Sequence, residues 1–211
     1  MDINKFIINR PTLYHLTNEN NLPIILKHGR IYSTNSLIEM SSNLDYYPIK
    51  RQRRPNHITI DVNGDMISIR DQRPISEKAL QKCLTNNWTC ADFYEFLNNR
   101  VFTWPTLDRL HRHYERYKNE NPIIIALDTA LLFETNPNPL FSRLNSGATR
   151  ANSYLGGVPP SRGKETFLPA HLYENTITSV AEVTFEHELR LPENIVVMNF
   201  DTGHKTRLSV K

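Results

Sequence analysis

Residues 12–29 read Thr12-Leu13-Tyr14-His15-Leu16-Thr17-Asn18-Glu19-Asn20-Asn21-Leu22-Pro23-Ile24-Ile25-Leu26-Lys27-His28-Gly29, and this stretch decides the fold. Thr12 to Thr17 is β-favouring and alternates, with Leu13, His15 and Thr17 on one side and Tyr14 and Leu16 on the other, which predicts a short strand. Asn18 to Asn21 then offer several N-caps, Pro23 is tolerated in a first turn, Leu22, Ile25 and Leu26 follow, and Gly29 supplies a stop. A strand feeding a short helix, which leads out to Arg30-Ile31-Tyr32-Ser33, points to a chain that mixes both element types.

Further along, residues 39–56 are polar and Tyr-rich, carry Lys50, Arg51, Arg53 and Arg54, and lack a clean period, so a loop or mobile excursion is expected there. His57 to Val62 and Met66 to Arg70 flank Asn63-Gly64, the type I′ signal, and predict a hairpin. Ser76 is placed to cap a helix from Glu77 to Leu84, and Thr89 with Asp92 to cap one over Phe93 to Leu97. Leu107, Leu110, His111, Tyr114 and Tyr117 form a helical stripe after Pro105. Ile123 to Leu127, bounded by Pro122 and Asp128, is a continuous apolar run expected as a central strand buried on both faces. Residues 135–165 read as long loop, and strands over Ser179 to Phe185 and Ile195 to Phe200 close the chain around Leu191-Pro192, with no internal repeats.

A length of 211 residues favours one α/β or α+β domain spanning 1–211. Hydrophobic residues at 39% and charged residues at 22% suffice for a core and exclude a mostly disordered chain. Seven Gly against 13 Pro, and no apolar stretch near the ~20 residues that cross a bilayer, exclude collagenous and membrane-spanning chains, so a soluble protein is expected. Met1 to Arg10 carries no long hydrophobic region or small-residue cleavage site, which makes a cytoplasmic location the default expectation. The net charge of +3 and a pI near 8.8 tolerate a nucleic-acid partner without demanding one. Cys83 and Cys90 lack metal-site spacing and are expected as reduced thiols in packed helices. His111 and His113 point to different faces of a helix and make a poor metal pair, and no G-x-S-x-G, Walker or G-x-G-x-x-G pattern occurs.

Three segments together carry a resemblance: Tyr14-His15-Leu16-Thr17, then Asn21-Leu22-Pro23-Ile24-Ile25-Leu26-Lys27-His28-Gly29, and Ala181-Glu182-Val183 followed by Pro192-Glu193-Asn194-Ile195. They resemble the ADP-ribosyltransferase superfamily, most closely the DarT-type toxins that modify DNA and more distantly the RNA 2′-phosphotransferases. The chain also resembles an uncharacterised bacterial family that carries the Arg100-Val101-Phe102-Thr103-Trp104-Pro105 stretch. The resemblance covers most of the chain, although only its two ends touch motifs of known role. It implies an α/β (α+β) fold with a split β-sheet core, helices on its faces and NAD⁺ in the cleft, and no metal.

By the same resemblance, His15 and Thr17 hold NAD⁺, and Glu182 holds the nicotinamide-ribose hydroxyl and stabilises the oxocarbenium-like transition state as nicotinamide leaves. Strand alternation sets Glu182 with Val180 and Thr184, opposite Ala181, Val183 and Phe185; Glu186 and Glu188 are the alternatives, nearer the strand's end. The pyrophosphate calls for a guanidinium. DarT-like proteins carry theirs in an aromatic stretch; here the arginine of that stretch is offset, which leaves Arg100, Arg109, Arg70 and Arg73 as competitors. Phe102 and Trp104 alternate on one face and are candidates to stack a ring, with a core role as the other reading.

Asn145 to Arg150 and Pro160 to Thr166 lie in a loop of about 142–166, where the superfamily recognises its acceptor, and Arg150 is a candidate there. Lys50, Arg51 and Arg54 beside Tyr46 and Tyr47 combine charge with stackable rings, as single-stranded nucleic-acid grooves do, although a solvated loop explains them equally. The resemblance thus implies an NAD-dependent ADP-ribosyltransferase acting on DNA or RNA as a toxin, defence factor or effector, with an antitoxin protein as a possible partner and no membrane. The rival readings are an RNA 2′-phosphotransferase-like enzyme and a non-catalytic module that binds NAD⁺, ADP-ribose or nucleic acid.

Overall fold

The computed structural model describes residues 1–151 and 156–210. Helix α1 (Ile3–Asn9) is capped by the Asp2 carboxylate, and strand β1 (Thr12–Asn18) follows it. A 3₁₀ turn over Glu19–Asn21 passes into helix α2 (Leu22–His28), which has Pro23 in its first turn and stops at Gly29 with φ 63°, a left-handed backbone that glycine adopts without steric cost. Strand β2 (Arg30–Tyr32) and helix α3 (Thr34–Met40), capped by Ser33, come next. The stretch expected as loop contains a 3₁₀ helix over Leu44–Arg51 with Pro48 inside it, tied down by the Asn98 side chain, whose Nδ2 donates to the carbonyls of Ile49 and Lys50.

Strands β3 (Ile58–Val62) and β4 (Asp65–Ile69) form the expected hairpin, with Asn63 and Gly64 at φ 54° and 89° as a type I′ turn requires. Helix α4 (Glu77–Gln81) is capped by Ser76 but ends short of Leu84, because the backbone at Cys83 and Thr85 is taken by Arg162, which bonds both. Cys83 therefore lies beyond that helix, where its Sγ donates to the Thr149 carbonyl at 2.9 Å, while Cys90 opens helix α5 (Cys90–Asn98) behind the Thr89–Asp92 capping box. Strand β5 (Arg100–Thr103), helix α6 (Leu107–Tyr117), strand β6 (Pro122–Asp128) and helix α7 (Thr129–Thr135) follow in turn. Strands β7 (Leu140–Ser142) and β8 (Leu168–Pro169) bracket the long loop. The chain closes with β9 (Glu182–Glu186), β10 (Glu188–Arg190), β11 (Asn194–Met198) and β12 (Lys205–Ser209). Residues 177–179 form a 3₁₀ turn, so β9 begins later than the expected Ser179.

The fold is α+β. One antiparallel sheet has the order β1-β6-β11-β12 and a second the order β5-β9-β7-β8. The central place of β6 explains its unbroken apolar run: Ile125 and Leu127 face one cluster with Leu13 and Val183, while Ile124 faces another with Leu16, Leu110 and Tyr114. Among the described residues the backbones of the two sheets pair at one isolated bridge, between Tyr14 and Trp104, and the sheets pack on each other through the cluster that holds Leu13, Ile125, Val101 and Val183. The β3–β4 hairpin belongs to neither sheet; it packs Ile60, Val62, Ile67 and Ile69 on Leu37 and Ile38 of α3. No helix among the described residues is long and apolar enough to cross a membrane.

Asn21 fastens that hairpin to the rest of the chain. Its side-chain amide imitates a strand neighbour, donating to the Ser68 carbonyl at 2.8 Å and accepting from the Ser68 N–H at 2.9 Å, and it also donates to Thr17 Oγ1 at 3.1 Å. An Asn21→Leu variant leaves the Ser68 groups unpaired at a site where Asn21 is buried, at a cost of about 2–3 kcal/mol. Calorimetry is expected to show a fall in Tm of roughly 5–10 °C for a chain of this size; an unchanged Tm would show that the clip does not hold the hairpin.

Candidate functional site

Tyr14 and Trp104 exchange backbone hydrogen bonds of 2.9 and 2.8 Å. Continued antiparallel pairing would set Leu16 against Phe102. Instead the Phe102 carbonyl lies 2.9 Å from His15 Nδ1, and the ladder between β1 and β5 stops there. Beyond this point the sheets part around a cleft of about 290 Å³, near the lower end of the ~300–1,000 Å³ range of small-molecule sites. His15, Thr17, Arg70, Arg100, Phe102, Trp104 and Glu182 all line it.

Because a carbonyl only accepts, His15 Nδ1 carries the ring proton and Nε2 keeps a lone pair. Loss of hydration lowers the ring's pKa to about 4 against the opposing Phe102 bond, and the positive charge of Arg70 pushes the same way. His15 is therefore a neutral acceptor at neutral pH. Thr17, two residues on and on the same face, accepts from Asn21 at Oγ1 and keeps its own proton for another acceptor.

Glu182 opens β9 on the opposite sheet and is 1% exposed. Its Oε2 accepts from the Ser146 backbone N–H at 2.8 Å. Burial raises its pKa to about 7, opposed by the Ser146 bond and by the charges of Arg162 and Arg109. Within β9 the expected alternation holds, since Val183 and Phe185 enter the apolar cluster on the other face, but Val180, expected on the side of Glu182, precedes the strand as the end of the 3₁₀ turn and joins that same cluster. The alternatives fall away on geometry: Glu186 pairs with Arg100 at 2.7 Å, and Glu188 pairs with Arg30 and Arg190 at 2.8 Å each.

The loop that presents Ser146 is fixed by Arg162, which is 3% exposed. Its Nε donates to the Ala148 carbonyl at 2.9 Å and its Nη2 to the carbonyls of Asn145 and Ala148 at 2.9 and 2.6 Å. The Pro160 to Thr166 segment, expected to meet the acceptor, thus supplies a clamp on the Glu182 loop instead. Residues 152–155 of the expected substrate loop lie outside the described residues, and Arg150 is exposed and does not line the cleft.

Among the four arginine candidates the structure separates two from two. Arg70, just past β4, donates from Nη2 to the Thr17 carbonyl at 3.1 Å, lies over the Tyr117 ring at 4.3 Å, and leaves Nε and Nη1 buried without a partner. Arg100 also keeps Nε and Nη1 unpartnered, but Nη2 is engaged by Glu186 and the guanidinium lies over Phe96 at 4.3 Å. Burial lowers the pKa of both. Arg109 bonds the carbonyls of Thr178 and Ser179, and Arg73 pairs with Asp71; neither lines the cleft.

The basic cluster before the hairpin is not a free cationic groove. Lys50 pairs with Glu39 at 2.7 Å, and Arg51 with Asp92 and Glu95 at 2.5 and 2.9 Å. Arg54 is 8% exposed and holds the cleft wall, donating to the Arg70 carbonyl at 3.2 Å and to Asn98 Oδ1 at 2.6 Å, with its pKa lowered to about 10 by burial. This corrects the expectation that Lys50, Arg51 and Arg54 together present charge to a partner: Lys50 and Arg51 are paired with carboxylates, Arg54 is buried with its guanidinium on neutral oxygens, and Tyr46 packs on the hairpin core.

Sequence reasoning weighs His113 only as half of a poor metal pair with His111 and misses its place in the cleft. It lines the cleft with its ring 4.9 Å from that of Trp104 and its Nε2 3.3 Å from the Asn145 amide, and burial lowers its pKa to about 4. The available signal was its place one turn after Arg109, on the flank of the apolar stripe rather than opposite it. Trp104 itself has a buried Nε1 with no acceptor, and Phe102 packs edge-on against Phe167 while contributing its carbonyl to His15.

With this geometry in place, the comparisons add one assignment. Residues 11–196 match a family described as a family of unknown function, DUF7002, and the chain belongs to that family. No curated protein and no solved structure matches it.

The Glu182 burial has a measurable cost. Its pKa is raised in the folded state, so the associated stability is fully present below the unfolded value of 4.5 and is lost as pH rises through about 7. Glu182→Gln keeps an acceptor for Ser146 without the charge. The variant's Tm is expected to exceed that of the wild type by several degrees at pH 8, a difference on the order of 3 kcal/mol, and to converge with it near pH 4.5. A gap that does not change with pH would show that Glu182 is not held in this way.

Proposed function

We propose that this protein is an NAD-dependent ADP-ribosyltransferase that acts on nucleic acid, as a toxin, defence factor or effector. The observation that carries the reading is the convergence of His15, Thr17 and Arg70 with Glu182 in one cleft, from segments more than a hundred residues apart in the chain. Two antiparallel sheets joined by one bridge agree with the split core that the resemblance implies.

The donor set fits such a ligand. Arg70 Nε and Nη1, Arg100 Nε and Nη1 and Trp104 Nε1 are buried without acceptors, and groups of this kind cost free energy unless a ligand supplies oxygens. NAD⁺ supplies them from its pyrophosphate. Arg70 is assigned to the pyrophosphate, since two of its nitrogens are unclaimed and it adjoins Thr17. His15 Nε2 accepts from a ribose hydroxyl, and Glu182, as the carboxylate, accepts from a hydroxyl of the ribose that loses nicotinamide and sets negative charge beside the developing cation. Phe102 and Trp104 form the apolar wall between these groups.

A second reading, a non-catalytic module that binds NAD⁺ or ADP-ribose, is favoured by one observation. With a pKa of about 7, Glu182 is substantially protonated at neutral pH.

The test is nicotinamide release from radiolabelled NAD⁺ by wild type and Glu182→Gln, with DNA, RNA and cell lysate supplied in parallel and label followed into each fraction. Wild type is expected to transfer label, the variant to fall by about 10²–10³-fold, and kcat/KM to rise with pH through about 7 as Glu182 ionises. NAD⁺ binding without release would support the module, and neither binding nor release would sink both readings.

A further inference from the structure

Helix α6 carries Arg109, Arg112 and Arg116 at spacing i, i+3, i+7, with the cleft residue His113 at i+4. They form one stripe that runs from the flank of the helix, at Arg109 and Arg116, to the solvent side opposite Leu110, Tyr114 and Tyr117, at Arg112. Arg112 and Arg116 are exposed and, among the described residues, meet no carboxylate. The helix's Glu115 is occupied by His111 and Lys118. Asp108, one turn before Arg112, is exposed and makes no ion pair with it among the described residues. Arg109 bonds only main-chain carbonyls, at Thr178 and Ser179.

The stripe leads to the reactive end of the cleft. Arg116 lines the cleft itself. Arg109 lies close enough to Glu182 for its charge to favour the carboxylate, while the charge of Arg116 disfavours protonation of the neighbouring cleft residue His113. The contrast with Lys50 and Arg51 is direct, since those charges are neutralised by Glu39, Asp92 and Glu95.

We infer that this face of α6 is the docking surface for a single-stranded polynucleotide, with its phosphates on Arg109, Arg112 and Arg116 and one nucleotide turned toward Glu182. Along the helix axis the arginines are separated by ~4.5 and ~6 Å, steps that successive phosphates of a flexible strand can follow. A guanidinium forks two phosphate oxygens, and three in a row hold a chain with one charge per unit. The need for the strand to reach Glu182 rests on the transfer reading above; the docking itself does not.

The test therefore omits NAD⁺. Binding of a fluorescein-labelled 12-nucleotide single strand, as DNA and as RNA, is followed by anisotropy across a salt series. The proteins compared are wild type, Arg112→Ala/Arg116→Ala and Lys50→Ala/Arg51→Ala, with circular dichroism as the check on folding. The α6 variant is expected to bind at least ~10-fold more weakly and to lose about 1.4 from the slope of log K against log salt, two phosphate contacts' worth. The Lys50/Arg51 variant is expected to match the wild type. Failure of the wild type to bind either strand, equal weakening in both variants, or equally arginine-dependent binding of poly-glutamate would overturn the inference. Arginine-dependent strand binding with no nicotinamide release would leave the surface standing and remove the transfer reading.

Discussion

Two hydrogen bonds between Tyr14 and Trp104 mark the place where the backbones of the two sheets pair, and the cleft opens where that pairing stops. A ladder between β1 and β5 that continued would merge the two sheets and close the space between them. The side chain of His15 prevents this by taking the Phe102 carbonyl that continued pairing would bring opposite Leu16. One bond thus ends the ladder, fixes the imidazole tautomer and aims its free nitrogen away from Phe102. Sheet geometry and site chemistry are set by the same contact.

Around that hinge the protein builds a place that is poor in water and rich in unmatched donors. His15 and His113 are driven neutral, Glu182 is driven toward its acid form, and Arg70 and Arg100 keep charge although two of the three nitrogens of each find no acceptor. Each departure lowers stability in the free protein and is reversed by a ligand that brings anionic oxygens and a positive centre. The supporting residues lie a layer behind: Asn21 ties Ser68 to Thr17, Arg54 ties the Arg70 carbonyl to Asn98, and Arg162 holds the loop that reaches Glu182.

Much of this was legible where local chemistry agrees with the final packing. The β1–α2 passage, the Asn63-Gly64 hairpin, the central β6 run and the alternation that buries Glu182 each follow from a period or a cap that tertiary contacts leave intact. What was not legible depends on partners distant in sequence. The Lys50 to Arg54 segment reads as a solvated basic loop until Glu39, Asp92, Glu95 and Asn98 are seen around it. No local signal marks Arg162 as a clamp, because its three bonds go to two backbone carbonyls more than a dozen residues away. Helices α1, α3 and α7 span seven residues each, too few turns to establish a period. Strand β12 is polar and exposed along most of its length, so it has no alternation to read.

The hairpin that ends in Arg70 stands outside both sheets. A two-stranded unit has little stability of its own, so the hairpin depends on its packing against α3 and on the Asn21 clip. The guanidinium proposed for the ligand is therefore carried by a unit that α3 and Asn21 hold in place, outside both sheets. Anything that grips Arg70 also slows hydrogen exchange along β3 and β4, and each opening of the hairpin withdraws the cation and releases its hold on the ligand. On the proposed assignment of Arg70, ligand residence is coupled to the local opening of one small hairpin.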